Sequence, residues 1–146
     1  MLDVVRLQPD IRFTFAVMGW PLDVTADGRE RWRRGVVELS RCENVCASIS
    51  AVECLLGMDW TVDRARPWVQ TLIELFGPDR CMLGSHLPIW RLSRSFKLLH
   101  DAYEELVSDL SPGEQDRLFR GTATAWFGLD RLGLAAGGGA ARNGTQ

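Results

Sequence analysis

Phe76-Gly77-Pro78-Asp79-Arg80-Cys81-Met82-Leu83-Gly84-Ser85-His86-Leu87-Pro88-Ile89 is the stretch on which the fold turns. Gly77-Pro78 stops a helix, since glycine suits a helix C-terminus and proline cannot extend the hydrogen-bond ladder. Arg80 to Ser85 then reads as a short apolar strand that runs into His86 and Pro88. Upstream, Thr61 caps a helix in which Ala65, Trp68, Val69, Leu72, Ile73 and Phe76 form one apolar stripe. Downstream, Phe96, Leu99, Tyr103, Leu106 and Leu110 recur at three- and four-residue steps, the mark of a long amphipathic helix.

The same alternation continues outward in both directions. Arg12 to Met18 is an apolar, aromatic run closed by Gly19-Trp20-Pro21, and a helix follows from near Asp27, where Asp27 and Glu30 have capping-box spacing ahead of Trp32, Val36 and Leu39. Asn44 to Ser50 is a second strand, with Val45, Ala47 and Ile49 on one face and the small residues Cys46, Ser48 and Ser50 on the other. Those small residues suit the tight interior of a closed sheet. Ser111-Pro112-Gly113-Glu114 opens a further helix carrying Leu118, Phe119, Ala123 and Trp126, with Ser as cap, Pro at its first position and Glu at its third. Strand and helix in this order predict an α/β fold of parallel βαβ units. Functional groups then belong at the strand C-terminal ends: Met18-Gly19-Trp20, Ser50-Ala51 and Ser85-His86. Three strands leave two open sheet edges.

Composition limits what such a chain does. Its 146 residues are 46% hydrophobic and 25% charged, which excludes a wholly disordered chain and is too short for a complete eight-stranded barrel of about 200–250 residues. The net charge of −2 argues against nucleic acid as a partner, and Arg29, Arg31, Arg33 and Arg34 read as a solvated helix surface. No apolar run is long enough for a membrane span, and no secretory leader is evident, so the expected location is cytoplasmic. Cys42, Cys46, Cys54 and Cys81 lack zinc-ribbon spacing and are expected as free thiols; a Cys–His pair built on His86 or His100 is the chemical alternative. From Leu134 the Ala/Gly-rich composition predicts a flexible tail over 134–146.

Phe76 to Ile89 resembles the last-strand signature of the amidohydrolase-related (amidohydrolase 2) family: Phe-Gly-Pro-Asp-Arg, a few apolar residues, Gly-Ser-Asp, then an apolar residue, Pro and Val. Asn44-Val45 with Ser48-Ile49-Ser50 resembles that family's preceding strand. Ala16 to Pro21 resembles its His-Ala-Gly-Trp-Pro strand end, and Ser111 to Leu129 its closing helices. The resemblance implies a partial TIM (β/α)8 barrel over residues 1–133, made of the last three β/α units plus closing helices. It is closest in flavour to the lactonase-like branch, which hydrolyses lactones and related cyclic esters or carboxylates, often without a metal. The earlier strands, with their histidine-bearing first strand, have no counterpart here. The family's strand-end His falls on Val17, its last-strand Asp on His86, and the lysine often found in the middle strand on Ser48.

His86 is therefore the candidate catalytic residue, a neutral imidazole able to take a proton from water attacking a lactone carbonyl. Ser85 and Ser50 are candidates to orient water or substrate, and Trp20 to wall the pocket. Arg91 (or Arg94) is a candidate to hold a substrate carboxylate in bidentate fashion. Glu53 and Asp59 are candidate polar contacts or plain solvated loop residues, and Trp60 and Trp90 pocket walls or core. With His86 short of companions, no cofactor and no metal ligands are expected from this chain, although a divalent metal such as zinc fits full-length relatives. The partners implied are a small-molecule substrate and either a second copy or a complementing N-terminal half. The other readings are a non-catalytic relic or self-associating half-barrel binding module, and, within the same superfamily, decarboxylation.

Overall fold

The computed structural model describes residues 2–92 and 95–132. The expected tail over 134–146 and Arg94 lie outside the described residues. In chain order the elements are α1 (Leu2–Leu7), β1 (Phe13–Phe15), α2 (Ala26–Ser40), β2 (Val45–Ile49), α3 (Val52–Leu56), α4 (Val62–Phe76), β3 (Cys81–Leu83), α5 (Phe96–Leu106), α6 (Pro112–Asp116) and α7 (Thr122–Phe127). A π-helical turn, Arg117–Gly121, joins α6 to α7. The three strands lie in the order β1-β2-β3, all parallel, with Phe15 opposite Ala47 and Ile49 opposite Leu83. The fold is α/β, a partial barrel. No helix among the described residues is long and apolar enough to cross a membrane.

Side-chain alternation along β2 sets the two faces. Val45, Ala47 and Ile49 join the apolar core with Ala65, Val69 and Leu72 of α4 and Val36 of α2. The opposite face carries Ser48 and Ser50, whose Oγ atoms lie 3.4 Å apart. Gly84 packs closely beside them, since a Cβ there would lie 3.0 Å from Ser50 Cβ, tighter than ordinary side-chain contact. Trp32 and Trp68 meet at 4.9 Å between α2 and α4, and Trp32 Nε1 donates to Met18 O at 2.7 Å. The packing of these helices is thereby tied to the exit of β1.

Several expectations from the sequence shift on folding. The cap of α2 is Thr25, not Asp27: Thr25 Oγ1 accepts from Gly28 N at 3.2 Å, and Asp27 lies in the first turn. The first strand run ends at Phe15 because Val17, Met18 and Trp20 all have positive φ and leave the sheet. The long amphipathic helix stops at Leu106, short of Leu110, and its Phe96 is exposed. Ser111 and Glu114 make the full reciprocal capping box that the sequence suggests.

Charged and polar groups finish the N-terminal side of the sheet. Arg80 donates to Ser40 O at 2.9 Å, at the C-terminal end of α2, and to Cys42 O at 3.0 Å just past it, while its guanidinium lies 5.3 Å from the Phe76 ring centroid. Arg12 Nη1 donates to Trp126 O at 3.0 Å and Thr122 Oγ1 to Pro78 O at 2.7 Å, which hold α7 under β1 and β3. Cys46 is fully buried and its thiol is pushed up to about 12, chiefly by burial, with Arg80 opposing; burial likewise raises Cys81.

Arg80→Met should lower stability by about 1.5–3 kcal/mol, the usual value of charge-assisted hydrogen bonds, seen as a lower denaturation midpoint at unchanged slope. Unchanged stability would show that the Arg80 clamp contributes nothing. In native protein a thiol reagent near neutral pH should modify Cys54, which is exposed, and leave Cys46 and Cys81 unmodified until unfolding. Mass mapping of the labelled cysteines reads this directly.

Candidate functional site

Parallel pairing delivers all three strand ends to one rim. Each exit there passes through the left-handed region with non-glycine residues: Val17, Met18 and Trp20 after β1, Ala51 after β2, and His86 after β3. They account for every positive-φ non-glycine residue described. Such conformations cost on the order of 1 kcal/mol or more apiece and persist where surrounding packing over-determines them. Met18 and Ala51 are indeed 0% and 1% exposed.

The turn at Ala51 starts the short helix α3 and brings its side chains back to the rim. Glu53, only 4% exposed, points inward, and its Oε1 lies 2.7 Å from His86 Nδ1. A carboxylate can only accept, so Nδ1 is the donor, and in the neutral ring the lone pair is then on Nε2. A buried carboxylate without a donor would be costly, and His86 supplies one. Cys54, next in sequence, places Sγ 3.9 Å from the same Nδ1. Its thiol pKa is raised, first by desolvation and then by the Glu53 charge, so it stays protonated near neutral pH. Tyr103, buried on α5, donates to Gly84 O at 2.9 Å, and its hydroxyl is raised first by burial and then by Glu53. It pins the last residue before Ser85 and His86.

The structure distributes the residues singled out from sequence unevenly. Ser50 is buried beside Gly84 at the rim. Ser85 accepts from Leu87 N at 3.4 Å and lines an apolar cleft of about 430 Å³ with Leu83, Phe96, Leu99, His100 and Phe119. His100 stacks on Phe119 at 4.9 Å and lies 3.3 Å from Glu104. Trp20 is 55% exposed and shares a crevice with Val17, Pro21, Cys54 and Leu55. Arg91 sits exposed on a 3-10 turn, lining a depression with Leu87, Trp90, Ser95 and Phe96 rather than the Glu53–His86 pair. Trp60 and Trp90 belong to the core, and Asp59 is exposed.

The direct pairing of Glu53 with His86 escapes sequence reasoning, whereas the thiol beside them, Cys54, is one of the cysteines considered for a Cys–His pair at His86. A signal for the pairing exists, a single charge inside the apolar run Ala51-Val52-Glu53-Cys54-Leu55-Leu56. Among the described residues, Glu53, Cys54 and His86 form a group whose ligand-type atoms all lie within 4.8 Å of one another. The expectation that His86 lacks companions is therefore corrected. Carboxylate oxygen, thiol sulfur and imidazole nitrogen are together a donor set suited to a borderline-soft divalent ion.

Comparison with known proteins places this geometry. The family model described as amidohydrolase matches residues 1–129. The uncharacterised protein y4mH of Sinorhizobium fredii (strain NBRC 101917 / NGR234) is 30% identical over 129 residues, 86% of this chain and 42% of that protein. An amidohydrolase from Burkholderia multivorans, solved with bound HEPES and with bound zinc, superposes with a TM-score of 0.79 in each form, at 20% and 21% identity, over 87% of this chain and 48% and 47% of that one. A protein provisionally assigned as a 2-pyrone-4,6-dicarboxylic acid hydrolase, from Pseudomonas putida, superposes with a TM-score of 0.70 at 24% identity, over 89% of this chain and 48% of the other. The chain thus spans about half the length of the relatives it matches. With its strand order, its rim and its match over residues 1–129, this chain belongs to the amidohydrolase family.

Proposed function

We propose that this chain carries the proton-transfer part of a hydrolase site for a lactone or a similar cyclic ester or carboxylate. The observation that carries the reading is the 2.7 Å contact between Glu53 Oε1 and His86 Nδ1 at the C-terminal rim of parallel strands. Glu53 fixes the tautomer and orientation of the ring, which leaves Nε2 to take a proton from an attacking water. As water adds to the ester carbonyl, positive charge develops on the imidazole and the buried carboxylate stabilises it. Ser50, beside Gly84, and Ser85 present hydroxyls to water or substrate. Arg91 and Trp20 serve at the periphery, as a carboxylate contact and an apolar wall. A 2-pyrone dicarboxylate is a cyclic ester with carboxylates, which supports this substrate class.

The site is completed by β/α units from outside the chain, another segment or another subunit, because β1 and β3 each keep one unpaired edge among the described residues. That same observation favours a second reading, a self-associating half-barrel without catalysis of its own. Apolar clefts border both edges: the one beside β3 already described, and one of about 370 Å³ lined by Leu2, Phe15, Trp32, Val36 and Leu39 beside β1.

Assayed against a lactone panel with its completing half present, His86→Ala should reduce kcat by about 10²–10⁴-fold, the usual contribution of a general base. Glu53→Gln should reduce kcat by about 10–10²-fold while leaving KM near its parent value, since it alters ring orientation rather than substrate contact. Equal rates for parent and His86→Ala would discard the base role. The isolated chain should elute above monomer mass in light-scattering chromatography if the edges pair with a second copy; a stable monomer at high concentration removes the self-associating reading.

A further inference from the structure

We propose that Glu53, Cys54 and His86 form a binding site for a thiophilic divalent cation of the zinc–cadmium class, seated on Glu53 Oε1, Cys54 Sγ and His86 Nδ1. The three donors come from two chain exits and converge within 4.8 Å. Tetrahedral zinc at ordinary bond lengths sets oxygen and sulfur about 3.4 Å and about 3.6 Å from the shared imidazole nitrogen. The present separations are 2.7 Å and 3.9 Å. Occupation therefore asks the carboxylate to withdraw by a fraction of an ångström and the thiol to approach by less. Exposed Cys54 can approach and the Glu53 carboxylate can withdraw by side-chain rotation, while the His86 ring, on its left-handed backbone, is the fixed point of the site.

Charge argues in the same direction. The Glu53 carboxylate and a Cys54 thiolate together neutralise a dication, so the loaded site carries no net charge in a half-buried position. Loading moves two protons: the thiol releases one to solvent, and the imidazole hydrogen passes from Nδ1 to Nε2. The thiol selects among cations, as magnesium and calcium prefer all-oxygen sets. Cys54 is exposed, so a cation reaches the donors from solvent on the thiol side. Three protein donors leave a fourth position for water or an anion. With Nδ1 on the ion, Nε2 carries the hydrogen and no longer accepts a proton, so cation binding and the base role of His86 exclude each other.

The test is a titration of the reduced, chelator-stripped full chain with cadmium, followed by the ultraviolet thiolate-to-metal charge-transfer band, and with zinc by calorimetry. A single saturating site with the band present is expected. Cys54→Ser should abolish the band, Cys42→Ser should retain it, and magnesium should give no heat. Glu53→Gln and His86→Ala should each weaken binding by at least the roughly 10–100-fold that even outer-shell partners cost. Circular dichroism verifies each fold, and His86→Gln replaces His86→Ala if the latter does not fold. No band, a band that survives Cys54→Ser, or unchanged affinity in Glu53→Gln and the His86 variant would overturn the site. Lactone turnover in excess chelator reports the base reading separately: rates that persist without metal and fall with His86→Ala keep that reading whatever the titration shows, and the reverse outcome leaves the metal site standing alone.

Discussion

Parallel pairing of three short strands is the constraint from which the rest follows. A parallel strand must be re-entered from the far end, so each crossover is a helix, and every chain exit lands on the same rim. The register, Phe15 opposite Ala47 and Ile49 opposite Leu83, brings residues from the three exits close together although they are far apart in sequence. The exits then turn sharply through left-handed backbone at valine, methionine, tryptophan, alanine and histidine, residues that resist it. Packing of Met18 and Ala51 in the core supplies the compensation. Strain here is local, and it aims side chains across the rim.

The rim's chemistry then follows from one buried charge. Glu53 has left water and needs a donor, and its nearest one is His86. Burial first, and the same carboxylate second, raise the Cys54 thiol and the Tyr103 hydroxyl. A proton on His86 Nδ1 and a dication at the same place are alternative ways to balance Glu53, and the thiol tips the choice toward a soft ion when one is available. Either way, electrostatic balance at Glu53 governs which form of the imidazole faces an incoming molecule.

The two ends of the sheet are finished differently. At the strand N-termini, Arg12, Arg80 and Thr122 satisfy backbone carbonyls and tie α2 and α7 across the bottom. At the sides, β1 and β3 each keep one unpaired edge among the described residues, near apolar clefts, in a chain that spans about half the length of its family relatives. The bottom is closed by polar contacts within the chain, whereas the sides end in unpaired strand edges among the described residues.

Local chemistry determined the elements. The stripe from Ala65 to Phe76 with its Gly77-Pro78 stop, the Ser111–Glu114 box and the two faces of β2 depend on neighbours within a few residues, and each is legible in the sequence. Thr25 is not legible as the cap because Asp27 carries the glutamate three residues on that the capping-box pattern asks for, whereas Thr25 is followed at that spacing by Gly28. The candidate histidine was also legible, since it follows directly from a recognisable strand end. Its partner was not. Glu53 and His86 are thirty-three positions apart, and their meeting depends on the β2–β3 register and on a left-handed Ala51, a conformation that alanine does not advertise. Tertiary structure alone brings the adjacent acid and thiol to the imidazole, because the distance between side chains that follow different strands is set by sheet geometry and not by anything either segment encodes locally.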